Sequence, residues 1–157
     1  MSTRTGPAAW TQGIDDLLNL AERRMRRTVP LAIKSFYRQF MDLEPVWTSM
    51  LVFNYNFYVG SAPAGTISGD TGLVPSKGVN RSAAIAAALQ EHLNSIPELL
   101  SSEDSTYFIA NRMDYAMRIE EQGSPRGFGK DALKDAANRW TTHVKLGLAE
   151  AHGLEQI

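Results

Sequence analysis

Three histidines, a Glu-Glu pair and a Gly-Lys step are the residues of this sequence best suited to chemistry. His92, His143 and His152 could ligate a metal, but no two stand at i, i+4 and no cysteine is present to join them. His92 and His143 read as surface or partly packed residues, and His152 as part of a frayed C-terminus. Glu120 and Glu121, with Asp114, invite an acid/base reading. Adjacent helical residues point about 100° apart, so the pair does not converge. A solvated acidic patch beside a basic loop is the plainer reading. Gly129-Lys130 ends a stretch that resembles a phosphate cradle in outline. The loop G-x-x-x-x-G-K-[ST] would need glycine where Ser124 stands and a hydroxyl where Asp131 stands, so no nucleotide site is expected.

Neither a G-x-S-x-G elbow nor an S-x-x-K run offers a serine nucleophile, and the absence of cysteine removes thiol chemistry and disulfides. The basic run "RRMRR" at 23–27 could meet nucleic-acid phosphate. More often such a run is a solvated face paired with nearby acids. Net charge is −1 over 157 residues, so nothing global argues for nucleic acid or a membrane surface. The first ten residues hold no leader-like apolar run, and no stretch reaches the ~18 apolar residues of a membrane span. Asn80-Arg81-Ser82 matches a glycosylation sequon and reads as chance. The expectation is a protein that is not an enzyme and binds neither metal nor cofactor.

The elements that position these residues follow from periodicity. Residues 1–9 read as a flexible arm. Ile14, Leu18, Ala21, Met25, Val29, Ala32, Phe36, Phe40 and Leu43 recur at spacings of three and four, which predicts one long helix over about 10–45 with these residues on its inner face. Pro30 predicts a kink or break near 29–30. "VWTSMLVFNYNFYVG" at 46–60 is aromatic, β-branched and partly alternating, which predicts one or two strands. Residues 60–81, with five glycines and two prolines, read as a long Gly/Pro loop. "SAAIAAALQEHLNSI" at 82–96 predicts an Ala-rich helix capped by Ser82. Residues 105–112 read as a strand, 113–122 as a short helix or irregular turn, and 123–129 as a glycine loop. Residues 130–154 read as one last helix, with Ala132, Leu133, Ala136, Ala137, Trp140, Val144 and Leu148 inward. Few strands among segregated helices predict an α+β fold built as a single domain over 1–157: a long N-terminal helix, a small antiparallel β-sheet, an Ala-rich middle helix and a C-terminal helix.

Over about 105–140 the sequence resembles the small neck and tail-completion (minor tail) proteins of long-tailed double-stranded DNA bacteriophages. The residues that carry the likeness follow the Ala-rich helix. They are a strand ending in Asn111, then Tyr115-Ala116, Ile119-Glu120, Gly123-Ser124 and a closing Gly127, before a long last helix. Trp47 and the 60–81 loop match the family's earlier segment in outline. The turn "MDLEPVW" departs from the Thr-Pro-Val-Asp-Thr-Gly turn of many members.

What the resemblance implies is a structural virion protein, located in the virion neck and in host cytoplasm during assembly. It would form a ring with itself, commonly six-fold, between the head connector and the tail, and continue the channel for genomic DNA without sequence-specific binding or membrane contact. Its partners would be the head-closure or connector protein and the tail terminator or tube protein. A tail-terminator or head-closure role is the nearest alternative, and a nucleic-acid-binding regulator a more distant one. A ring subunit presents two different faces to its neighbours. Asp114, Glu120 and Glu121 on one element, with Arg126 and Lys130 on the next, would offer opposite charges to adjacent copies, and Ser124 would lie at the same interface. Asn111, Tyr115, Ile119, Gly123, Gly127 and Trp47 would build the scaffold beneath them.

Overall fold

The computed structural model of the chain describes residues 7–43, 53–66, 80–101, 106–114, 116–123 and 130–154. Among the described residues, five helices and a two-stranded antiparallel sheet make up the α+β fold. Helix α1 spans Pro7–Met41, β1 Tyr55–Val59, α2 Arg81–Ser95, β2 Tyr107–Asn111, α3 Ala116–Gln122, α4 Ala132–Asn138 and α5 Trp140–Leu154. The strands pair from Tyr55↔Asn111 to Val59↔Tyr107. The core forms where the C-terminal half of α1 meets β1, α2 and α4. Tyr55, with the half-buried Phe57 and Ile109, turns one face of the two-stranded sheet onto it, and the half-buried Phe53, just before β1, packs there too.

Helix α1 runs unbroken through Pro30, although the sequence predicts a kink or break there. The reason lies in the backbone. Proline cannot donate to the carbonyl four residues earlier, which is that of Arg26. The freed carbonyl accepts instead from the Leu100 N–H at 3.2 Å, and the Arg26 guanidinium donates back to the Leu100 carbonyl. The missing helix bond thereby becomes a tie to the segment that leaves α2, with Leu100 buried beneath it. This also commits one cation of the "RRMRR" run internally.

Three sequence expectations are corrected. Helix α2 is capped by the Asn80 side chain, which accepts from the Ala83 N–H at 3.3 Å, rather than by Ser82, which lies inside the helix. The expected last helix over 130–154 is two helices. The Arg139 N–H bonds the Ala136 carbonyl at 3.1 Å in a tight turn between them. Helix α5 faces inward through His143, Gly147 and Ala151, leaving Leu148 exposed and Trp140 and Val144 at the margin.

His92 and His143 are therefore core residues, not surface ones. His92 stacks on Tyr37, with ring centroids 5.1 Å apart. His143 Nδ1 meets the Ser35 hydroxyl at 3.0 Å, its ring stands edge-on to Phe36, and its Nε2 is buried with no hydrogen-bond partner among the described residues. Burial, with the positive charge of Arg139 as a lesser cause, lowers the His143 pKa below its usual value. Folding thus favours the neutral ring. Below the unfolded value of about 6.5, the unfolded chain takes up a proton that the folded chain resists. This contribution to stability is complete above that pH and is lost as pH falls beneath it. Between pH 7.5 and 5.5 the wild-type melting temperature is expected to fall further than that of His143→Asn. Equal falls in a paired calorimetric titration would show that His143 plays no part.

Candidate functional site

The region from Asn111 to Lys130 is built around two chain reversals. At the end of β2 the Asn111 side chain accepts from the Met113 N–H at 3.0 Å, an Asx turn that directs the chain into α3. Met113 and Ala116 are buried, and Ile119 packs half-buried against the core. Helix α3 ends at Gly123, whose φ of +77° places it in the left-handed region. Its N–H closes the last turn on the Ile119 carbonyl at 2.8 Å. Asn111, Ile119 and Gly123 thus have a structural account.

Glu120 has a task the sequence reading did not give it. Its two carboxylate oxygens accept from the backbone N–H groups of Leu133 and Lys134, at 3.1 and 2.9 Å. The Asp131 N–H bonds the Glu120 carbonyl at 2.8 Å. Asp131 occupies the N-cap position of α4 in a left-handed conformation, with its side chain making no cap bond, so Glu120 caps that helix from across the loop. Its charge faces inward to a helix end rather than outward to another copy. Glu120→Ala is expected to cost about 1–3 kcal/mol, the range for stranding charge-assisted donors. Glu120→Gln, which keeps one acceptor, is expected to recover part of that loss in chemical denaturation.

Asp114, Glu121 and Lys130 are exposed. Ser124, Arg126 and Gly127 lie outside the described residues, as do Tyr115 and Trp47. No opposite-charge juxtaposition across this loop is therefore described. Among the described residues, no three His, Asp or Glu side chains gather as a metal site. No helix among them is long and apolar enough to cross a membrane.

The largest departure from expectation is in α1. Ala32, Phe36 and Phe40 are buried as predicted, but Ile14, Leu18, Ala21, Met25 and Leu43 are not. Every side chain from 10 to 19 is exposed, on all sides of the helix. Trp10 is 76% exposed, Leu17 67%, Leu18 63% and Met25 71%. The arithmetic of length explains this. A 35-residue helix is roughly 52 Å long, whereas the 15 residues of α5 span roughly 22 Å. Helix α5 runs antiparallel to α1, with His143 at Ser35 and Gly147 at Thr28 and Ala32. It reaches Leu154 before it could cover the first three turns of α1.

The uncovered arm is amphipathic. Trp10, Ile14, Leu17, Leu18, Ala21 and Met25 fall within about 100° of the helix circumference, with Gln12, Asp15, Asp16, Asn19, Glu22 and Arg23 elsewhere around it. The periodicity that predicted an inner face is real. What periodicity cannot say is whether this chain supplies the surface that covers it. No protein-family model, curated protein or solved structure matches this chain, so the site stands on its own geometry.

Proposed function

We propose that this chain is a structural, non-enzymatic subunit of a ring in the neck of a long-tailed double-stranded DNA bacteriophage, where it joins the head connector to the tail and continues the DNA channel. The observation that carries the reading is the α1 arm, three turns of amphipathic helix that no other described residue of the chain covers. Exposed apolar area of this extent marks an association surface. The functional groups of the core point the same way. Glu120 is spent on capping a helix, and His92 and His143 on packing. The resemblance over 105–140 supplies the setting. Glu121 and Lys130 are exposed charges that a neighbouring copy could meet.

Electron microscopy of a lysate in which this gene is silenced tests the proposal. Filled heads lying beside separate tails of normal length are expected. Tails of uncontrolled length would assign the chain to the terminator role instead, and intact infectious particles would end the neck reading.

A further inference from the structure

Helix α1 carries its charge unevenly. Residues 23–41 hold six cations, Arg23, Arg24, Arg26, Arg27, Lys34 and Arg38, and no acid. Arg23, Arg27, Lys34 and Arg38 recur at spacings of four, seven and four. They therefore fall within about 60° of the helix circumference, along roughly 22 Å of its axis. Arg23 and Arg38 are exposed, and Arg27 and Lys34 are half-buried. Helix α5 packs elsewhere, since Thr28 and Ala32, which meet Gly147, lie roughly 130° round the helix from this ridge.

The acids of α1 flank the ridge and do not interrupt it. Asp15, Asp16 and Glu22 precede it and Asp42 follows it, so even over 15–42 six cations stand against four acids. Glu22 pairs with Arg26, which lies off the ridge and is tied to Leu100. At the other end Arg81 donates to the Asp42 carbonyl at 2.6 Å and brings a further cation there. The elements packed against α1 carry Glu91, Asp135 and Glu150, with Glu98 just beyond α2. Among the described residues, none of these acids forms an ion pair with Arg23, Arg27, Lys34 or Arg38. Glu103 and Asp104 lie outside the described residues.

We propose that the Arg23–Arg27–Lys34–Arg38 ridge binds the phosphate backbone of duplex nucleic acid without reading its sequence. This goes beyond the ring reading and does not rest on it, because the ridge belongs to a single chain. A straight line of separate cations suits a regular line of phosphates, each neutralised with release of a counterion. A protein partner would need an aromatic or apolar centre to the contact. Between residues 23 and 38 the one exposed large apolar side chain is Met25, on nearly the opposite side of α1. The same arrangement gives a lipid surface nothing to bury beside the charges. No exposed aromatic stands along the ridge, so a single strand finds no stacking surface there.

Fluorescence anisotropy of the purified chain with a mixed-sequence duplex of about 20 base pairs tests the ridge. Four phosphate contacts predict a log–log slope of affinity against salt of roughly −3 to −4, or a loss of roughly 100-fold between about 50 and 200 mM. Arg23→Ala with Arg38→Ala, both at exposed positions, is expected to remove about two units of that slope and leave the melting temperature unchanged. Lys130→Ala with Lys145→Ala removes two exposed cations away from the ridge and is expected to leave the slope unchanged. An equal loss in both double variants would overturn the ridge in favour of diffuse attraction. A wild-type slope near zero would show that the chain's own acids, Glu103 and Asp104 included, neutralise it, and would overturn the proposal. Equal affinity for a single strand of the same length would overturn the duplex assignment, and tighter binding to phosphatidylserine vesicles would overturn nucleic acid as the partner. Separate heads and tails in the silenced lysate, with a chain that binds no duplex, would remove this ridge and keep the neck reading. Intact particles with ridge-dependent binding would do the reverse.

Discussion

Gly147→Ala is expected to destabilise the protein by about 2 kcal/mol, and Gly147→Val by more, although either residue is a better helix former than glycine. A β-carbon at 147 would stand 2.6 Å from the Thr28 carbonyl oxygen and 2.8 Å from the Ala32 nitrogen. Both are backbone atoms of α1, so no side chain can rotate away and the helices themselves must separate. That separation would loosen His143 from Ser35 and Ala151 from its buried site along the same line. Glycine is present here because the α1–α5 contact is made backbone to backbone. The same substitution at Gly153, six residues on in the same helix, meets nothing within 4 Å. Gly153→Ala is expected to be neutral or to stabilise by up to about 1 kcal/mol. For a chain of this length about 2 kcal/mol corresponds to a fall of roughly 4–8 °C in melting temperature. Thermal denaturation at low protein concentration reads the two variants with opposite signs. A fall of similar size for both would mean that helix propensity, not the approach of α1, sets the cost.

The elements of this fold are largely legible in the sequence, and the side of each that faces inward is legible only where its partner can be inferred. The aromatic, β-branched and partly alternating run at 46–60 correctly names a strand at Tyr55–Val59, but not which face it buries, because Tyr58 and Phe108 make the outer face aromatic as well. The stripe on α1 correctly names a helix. It misplaces Ile14, Leu18 and Met25 because burial is decided by the length of α5, a tertiary quantity. On α5 the apolar residues Trp140, Val144 and Leu148 suggest one face, yet the close approach to α1 selects His143, Gly147 and Ala151, the small and polar line. The break at Arg139 has no proline or glycine to announce it. Pro30 misleads in the opposite direction. Its cost is local, whereas its compensation by Leu100 comes from 74 residues beyond the Arg26 carbonyl. The role of Glu120 was hidden for the same reason, since its partners at Leu133 and Lys134 lie across a loop.

Phe40→Ala is expected to have the largest effect of any single truncation in the core, about 3–5 kcal/mol. Phe40 is fully buried, with its ring 5.2 Å from Phe36, 5.5 Å from Tyr37 and 4.7 Å from Tyr55, centroid to centroid. It is the ring that joins the end of α1 to the start of β1. Its neighbours are held by other means: Tyr37 donates to the Tyr55 carbonyl at 2.8 Å, and Phe36 rests edge-on to His143 and Trp140. Those fixed neighbours cannot collapse into the space left by Phe40, which places the substitution at the costly end of the range. Against a typical total stability of about 5–15 kcal/mol the loss is a large share of the fold. Urea denaturation should show it as a fall in midpoint with an unchanged slope. A loss under ~1 kcal/mol would mean that the cluster repacks. Leu17→Asp supplies the contrast. Leu17 is two-thirds exposed, so its replacement should leave the urea midpoint within about 0.5 kcal/mol while abolishing association. Phe40→Ala should lose stability first and association only as a consequence, because the arm is held in place by the buried half of the same helix.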